Sequence, residues 1–391
     1  VRALAEKLER WHYVWRQLYF DFWANPKLVR RWIAEDGSYS FTRRKFRVVF
    51  FPNRQNYLSV LAPLVPGVEI SNGYYSNPKN ISFFYDSDEP SCEATWKHEL
   101  THQLFRESIG SAENLKVFED ECVWLDEGAA TYAESLVDFG DYVTLGGFES
   151  RRLQFARIGL LLEGYKVPLS QLNQLGRLAL QKRPDIVKLY GQIAGQYTML
   201  MNDQAGANEA NLISVLHSMY RGRPIKPAKL EAKFGASFDE LDNRFRDFLI
   251  VDAQQVVNHF SAPLLRTELS FAQSQLNAAC FNVFGQCHNL IWLDVSGNQI
   301  GPQQIEALKS CESLQQLILT QCRLEPGALR ALSGLPQMIE LDFSGSSVTD
   351  QQLLELQGQT HLKKIILKST HITPAGIAKL KQLLPQVELV Q

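Results

Sequence analysis

No stretch of about 20 uninterrupted apolar residues occurs in the 391-residue chain, so the sequence carries no membrane-spanning helix. Strong charge of one sign is missing too. Forty basic and 42 acidic residues leave a net charge of −2, too balanced for holding nucleic-acid phosphates by overall charge. Six cysteines are too few for a disulfide scaffold at this length. G-x-S-x-G, Walker A, G-x-G-x-x-G and C-x-x-C are all absent, which removes the serine-hydrolase elbow, the phosphate loop and the dinucleotide fingerprint. What is present is globular: 45% hydrophobic, 11% aromatic and 21% charged residues, in a chain long enough for two or three domains.

The balance of charge is uneven along the chain. Residues 1–56 carry a net +7 and residues 57–284 a net −8. The densest acidic stretch, Asp86 to Asp141, holds 15 acids and 3 bases. Such a stretch favours cations and basic ligands, although its commonest meaning is a solvated face.

The spacing of Trp11, Val14, Trp15, Leu18 and Phe22 predicts a helix within residues 1–35, ended by Asp36-Gly37-Ser38. Residues 46–51 and 81–85 read as strands, and a short helix is expected from Gln55 to Leu64. A longer helix is expected from Cys92 to Glu107, and the pattern stays mostly helical to residue 250. Strands followed by helices in this order suggest an α+β domain.

The last third has a period. Leu290/Leu293/Val295, Leu314/Leu317/Leu319, Met338/Leu341/Phe343 and Leu362/Ile365/Leu367 start 24 residues apart, and Arg266/Leu269/Phe271 is a degenerate first unit. Each unit continues with an apolar residue and a helical pair, such as Ile300 with Ile305/Leu308. This resembles leucine-rich repeats: five units over 266–391, with Ser274, Asn298, Cys322, Ser346 and Thr370 at the buried polar position. Cys287, Cys311 and Cys322 then read as core residues. The concave face is expected to show Trp292, Asp294, Gln316, Ile318, Glu340, Asp342, Lys364 and Ile366, because strand side chains alternate. That face is a candidate surface for a protein partner.

His98-Glu99-Leu100-Thr101-His102 is an H-E-x-x-H motif. On a helix its two histidines share a face and can reach one metal, while Glu99 can accept a proton from a water beside them. A third ligand is needed, and Glu121 and Glu127 are the downstream candidates. Cys92 and Cys122 flank this region, and whether they pair stays open. The remaining histidines, at 12, 217, 259, 288, 361 and 371, are scattered and read as structural or surface residues.

Trp124-Leu125-Asp126-Glu127-Gly128-Ala129-Ala130-Thr131-Tyr132 resembles the W-L-N-E-G-F-A-T-Y segment of aminopeptidase-type gluzincins, in which the Glu is the third zinc ligand. Twenty-four residues separate His102 from Glu127, six more than that family's usual gap, which Glu121 would keep. The surrounding residues favour Glu127. Gly73-Tyr74-Tyr75, the strand at 81–85, Tyr190-Gly191-Gln192 and Phe234-Gly235-x-Ser237-Phe238 extend the likeness to a bacterial gluzincin-like group of the peptidase MA superfamily, over residues 45–250. The implied organisation is an N-terminal helical segment (1–44), a thermolysin/gluzincin-like metallopeptidase domain (45–251), a linker (252–265) and a leucine-rich-repeat α/β solenoid (266–391).

The resemblance implies one Zn2+ per chain on His98, His102 and Glu127, with Glu99 as general base in peptide hydrolysis. It implies a tyrosine donor for the oxyanion: Tyr190, read as opening a helical run, is preferred to Tyr197. Small residues Gly128 to Ala130 are expected to let their helix pack on the H-E-x-x-H helix, and Thr131 to bond a zinc histidine. A G-x-M-E-N segment, which grips a free amino terminus in the aminopeptidases, is missing from Asn80–Asp86, so an endopeptidase is expected, with this strand pairing to an extended peptide. The alternative is an inactive gluzincin-fold scaffold acting through its repeats. Val1 in place of Met, together with the family likeness, leads to the expectation of an extracytoplasmic or secreted protein.

Overall fold

A computed structural model of the chain describes residues 2–24, 29–30, 34, 45–87, 90–108, 118–148, 150–202, 207–259, 264 and 266–391. The break expected at Asp36–Ser38, the loop 109–117 and most of 260–265 lie outside the described residues. Two compact units result. The first is 1–136, 144–146 and 167–245; the second is 137–143, 147–166 and 246–391. The N-terminal helix belongs to the first unit, and parts of 137–166 belong to the second, so the units are drawn differently from the 1–44, 45–251 and 266–391 ranges.

The first unit contains a three-stranded sheet. Strands β1 (Arg47–Phe51) and β3 (Ile81–Tyr85) run parallel, and β2 (Gly73–Ser76) pairs antiparallel with β3. The spatial order is β1-β3-β2. This corrects the expectation that the strand at 80–86 is open to a peptide: β3 is central and both its edges are already paired. Phe84, Tyr85, Tyr57 and Trp96 form the core beneath the sheet with Leu4 and Cys92. The Pro90–Ser108 helix packs against it, close enough to β2 that a Cβ on Gly73 would lie 3.0 Å from Thr95 Cγ2.

The Arg2–Leu18 helix buries Leu4, Trp11 and Trp15 along one stripe. Trp11 Nε1 donates to Thr101 Oγ1 at 3.0 Å, and Trp15 meets the ring of Phe105 edge-on at 5.2 Å. The Val123–Glu134 helix is the centre of the unit, with Val123 to Ala133 all buried. An all-round buried helix needs small residues where neighbours approach. Gly128 supplies one, but for a partner other than the expected one: a Cβ there would lie 2.6 Å from Tyr197 of the Ile186–Asn202 helix.

The second unit is built on one parallel sheet of six short strands. Each strand pairs in register with residues 24 positions on: Glu268, Trp292, Gln316, Glu340, Lys364 and Glu388 lie side by side. The sixth strand, Glu388–Val390, was not among the five expected units, although Leu389 continues the row of Ile365. Leu293, Leu317 and Leu341 are fully buried, as the register requires. Of the residues expected on the opposite face, most are half-buried and Asp294 is buried. Asn298 binds the turns together: its Nδ2 donates to the carbonyls of Phe271, Val295 and Ser296, and its Oδ1 accepts from the amides of Ser274 and Leu276.

One backbone position repeats as well. Gln273, Gly297, Gln321, Gly345 and Ser369, 24 apart, all have φ between 51° and 71°. An L side chain there costs about 1–2 kcal/mol. Gly297→Ala also brings a Cβ within 2.7 Å of Leu162 Cδ1 and 2.6 Å of Gln273 Oε1. We expect Gly297→Ala to destabilise the protein by about 1–2 kcal/mol in urea unfolding, and Gln321→Gly to be neutral or stabilising. Equal stability of wild type and Gly297→Ala would refute the argument.

Candidate metal centre

His98 and His102 leave the Pro90–Ser108 helix one turn apart, on one face. Their Nε2 atoms face each other at 3.2 Å. Glu127, from the Val123–Glu134 helix, places Oε2 3.3 Å from His98 Nε2 and 3.7 Å from His102 Nε2. The side chains are 12%, 12% and 5% exposed. One donor atom from each residue lies within 4.8 Å of the others, a set able to hold a single cation.

The outward nitrogen of each ring is held by a carboxylate. His98 Nδ1 lies 2.8 Å from Glu134 Oε1, and His102 Nδ1 lies 3.1 Å from Asp126 Oδ1. A carboxylate only accepts, so each Nδ1 is the N–H, and the neutral rings turn lone pairs inward from Nε2. Two nitrogen lone pairs and a carboxylate oxygen thus converge. Such a cluster requires positive charge, supplied by a cation or by protons on the rings. Burial pulls the His98 imidazole down, but hydrogen bonds to Glu127 and Glu134 outweigh it and hold it at about 9. Burial is likewise outweighed at His102, where the charges of Asp126 and Glu127 raise it well above the usual histidine range. Burial pushes Glu127 upward, and the two histidines with Arg177 bring it well below the carboxylate range.

Glu99 lies on the same helix as the histidines. Its Oε2 accepts the backbone N–H of Tyr75, on β2, at 2.8 Å. Burial raises its carboxyl, the charges of His98 and His102 lower it, and Glu127 raises it again, with a net upward result. Tyr190 reaches the cluster, donating its hydroxyl to Glu127 Oε2 at 3.1 Å. It sits in the second turn of the Ile186–Asn202 helix and does not open it. Tyr197 is fully buried and shares a 3.0 Å hydrogen bond with Tyr19 OH, away from the donor atoms. Glu121 lies in the turn before the Val123–Glu134 helix and is not part of the cluster.

One expectation is corrected, and one open question is answered. Thr131 does not bond a histidine: its hydroxyl donates to the carbonyls of Glu127 and Gly128 in its own helix. Glu134 and Asp126 hold the rings instead. Cys92 and Cys122 do not pair; both are free and buried, Cys92 beside Tyr85 and Cys122 beside Asn173. Asp126, Glu134, Arg177 and Tyr220 were not singled out from the sequence. Glu134 had a signal, since it follows Glu127 by seven positions and therefore lies on the same helical face. Tyr220 OH donates to Asp126 Oδ1, and Arg177 donates to both Asp126 and Glu127.

A family model for the leucine-rich repeat matches residues 286–308, the end of the first repeat unit and most of the second. None of the curated proteins compared matches the chain. Similar solved structures include a leucine-rich-repeat protein of Leptospira interrogans, with 20% identity, 32% of this chain and 36% of that one covered, and a TM-score of 0.24. An internalin of Listeria monocytogenes has 15% identity, 32% and 47% coverage, and a TM-score of 0.22. The chain thus spans less than half the length of either. The fold is mixed α/β, and its second unit has a leucine-rich-repeat architecture. Among the described residues no helix is long and apolar enough to cross a membrane.

Proposed function

We propose that the first unit is a gluzincin-like zinc peptidase, with His98, His102 and Glu127 as the ligands of one zinc ion, and that the repeats bind a protein, the substrate or a partner. The observation that carries this reading is the convergence of three electron-rich atoms whose bearers are each held from behind, by Glu134, Asp126 and Arg177. When bound, zinc would act as a Lewis acid on the peptide carbonyl and on water. The protein supplies the rest. Glu99 takes a proton from the attacking water and delivers it to the leaving amine. Its burial makes it a better base than an exposed carboxylate. The Tyr190 hydroxyl donates to the carbonyl oxygen as charge develops there. With no G-x-M-E-N grip on a free amino terminus, the enzyme cleaves within chains.

The test is metal analysis of purified protein together with cleavage of end-blocked, internally quenched peptides. One zinc per chain is expected, with cleavage lost to a chelator and restored by zinc. Free aminoacyl reporters should be cut poorly. Tyr190→Phe should lower turnover at least about tenfold with zinc content and KM unchanged, while Tyr197→Phe should not. Bound zinc without cleavage of any peptide would favour the scaffold reading, and absence of bound metal would overturn the site itself.

A further inference from the structure

We infer that Arg177 is a positioning residue of the metal centre, which fixes how Glu127 and His102 present their donor atoms; the inference rests on the metal reading above. A single guanidinium holds two neighbouring carboxylates. Arg177 NH1 donates to Glu127 Oε1 at 3.1 Å and NH2 donates to Asp126 Oδ2 at 2.6 Å. The opposite oxygen of each carboxylate faces a histidine: Glu127 Oε2 the two Nε2 atoms, Asp126 Oδ1 the Nδ1 of His102. Arg177 thus occupies the outer oxygens and leaves one inner oxygen of Glu127 for a cation. A planar fork can do this across two carboxylates; an ammonium cannot match that geometry.

The chain delivers Arg177 by a built bracket. Cys122 N donates to Asn173 O at 2.9 Å and Val123 N to Leu175 O at 3.1 Å, so carbonyls of 173–175 satisfy amides at the start of the Val123–Glu134 helix. Asn173 Oδ1 accepts Trp124 Nε1 at 3.1 Å, and Arg177 N donates to Phe118 O at 3.0 Å. Gly176 permits the approach, since a Cβ there would lie 1.9 Å from the carbonyl oxygen of Glu119. Two residues beyond Leu175, the guanidinium meets the ligand-bearing turn.

Charge alone predicts the opposite effect from position. A guanidinium beside a cation repels it, so a mere counter-charge should bind zinc less tightly when present than when removed. A positioning residue should do the reverse, and outer-sphere partners of metal ligands are typically worth about 10–100-fold in affinity. The experiment is zinc affinity by competition with a chromophoric chelator, on wild type, Arg177→Gln and Arg177→Lys. Thermal unfolding of the metal-free proteins controls for folding, and the cobalt(II) spectrum reports coordination. We expect both variants to bind zinc about 10–100-fold more weakly, with an altered cobalt spectrum, Lys restoring the charge without restoring affinity. Unchanged or tighter binding in Arg177→Gln, or wild-type affinity and spectrum in Arg177→Lys, would overturn the inference. Should Arg177→Gln fail to fold, Arg177→Lys decides alone. A wild-type chain that binds no zinc would instead refute the metal reading.

Discussion

Glu127→Ala should leave the purified protein with almost no zinc after desalting, whereas Glu121→Ala should keep one zinc per chain. Glu127 is the side chain on which the cluster converges. Its Oε2 faces both histidines and Tyr190, and its Oε1 is held by Arg177. Removing it deletes one of three donors and leaves the cavity ringed by two histidines, a guanidinium and a phenol. The loss should therefore exceed the roughly 10–100-fold attached to outer partners. Glu121 keeps the family's usual spacing from His102 but lies half-buried in the turn ahead of the helix. Inductively coupled plasma analysis of both variants decides the matter. Full zinc in Glu127→Ala would sink the assignment, and loss of zinc in Glu121→Ala would transfer it to that residue.

The features legible in the sequence were those written into local spacing. Leu293, Leu317 and Leu341 share one period, so their burial and strand register follow from the repeat alone. His98 and His102 lie one turn apart, which fixes their common face without knowledge of anything else. What the spacing could not show was which segments meet in space. β3 reads as a strand from its own residues, but nothing in Ile81–Tyr85 says that β1 and β2 will occupy both its edges. Thr131 sits one turn from Glu127, yet a hydroxyl in a buried helix finds its own backbone carbonyls nearer than a ring across the interface. Arg177 carries no motif: it reaches Asp126 and Glu127 because Asn173 and Leu175 dock on amides more than 45 positions earlier in the chain. The outer ring of the site is tertiary, whereas its inner ring is local.

Glu99→Gln should cut peptide turnover about 10²–10⁴-fold while zinc content stays at one per chain. The substitution keeps size and burial and removes only the capacity to hold and release a proton. The backbone N–H of Tyr75 donates to Glu99 Oε2; the amide oxygen of Gln can accept the same bond, so β2 and the helix should stay in place. Because Glu99 is not among the three converging donors, its replacement should spare metal affinity, which separates it from Glu127→Ala. The pH dependence follows from the direction of its shift. Burial raises the Glu99 carboxyl above the usual glutamate range in the metal-free protein, so NMR of the metal-free wild type should show a carboxyl titrating above that range, and Glu99→Gln should lack it. Turnover in Glu99→Gln within threefold of wild type, at equal zinc, would show that another group moves the proton. Loss of zinc along with activity would show that Glu99 holds the site together and that the proton argument needs a different residue.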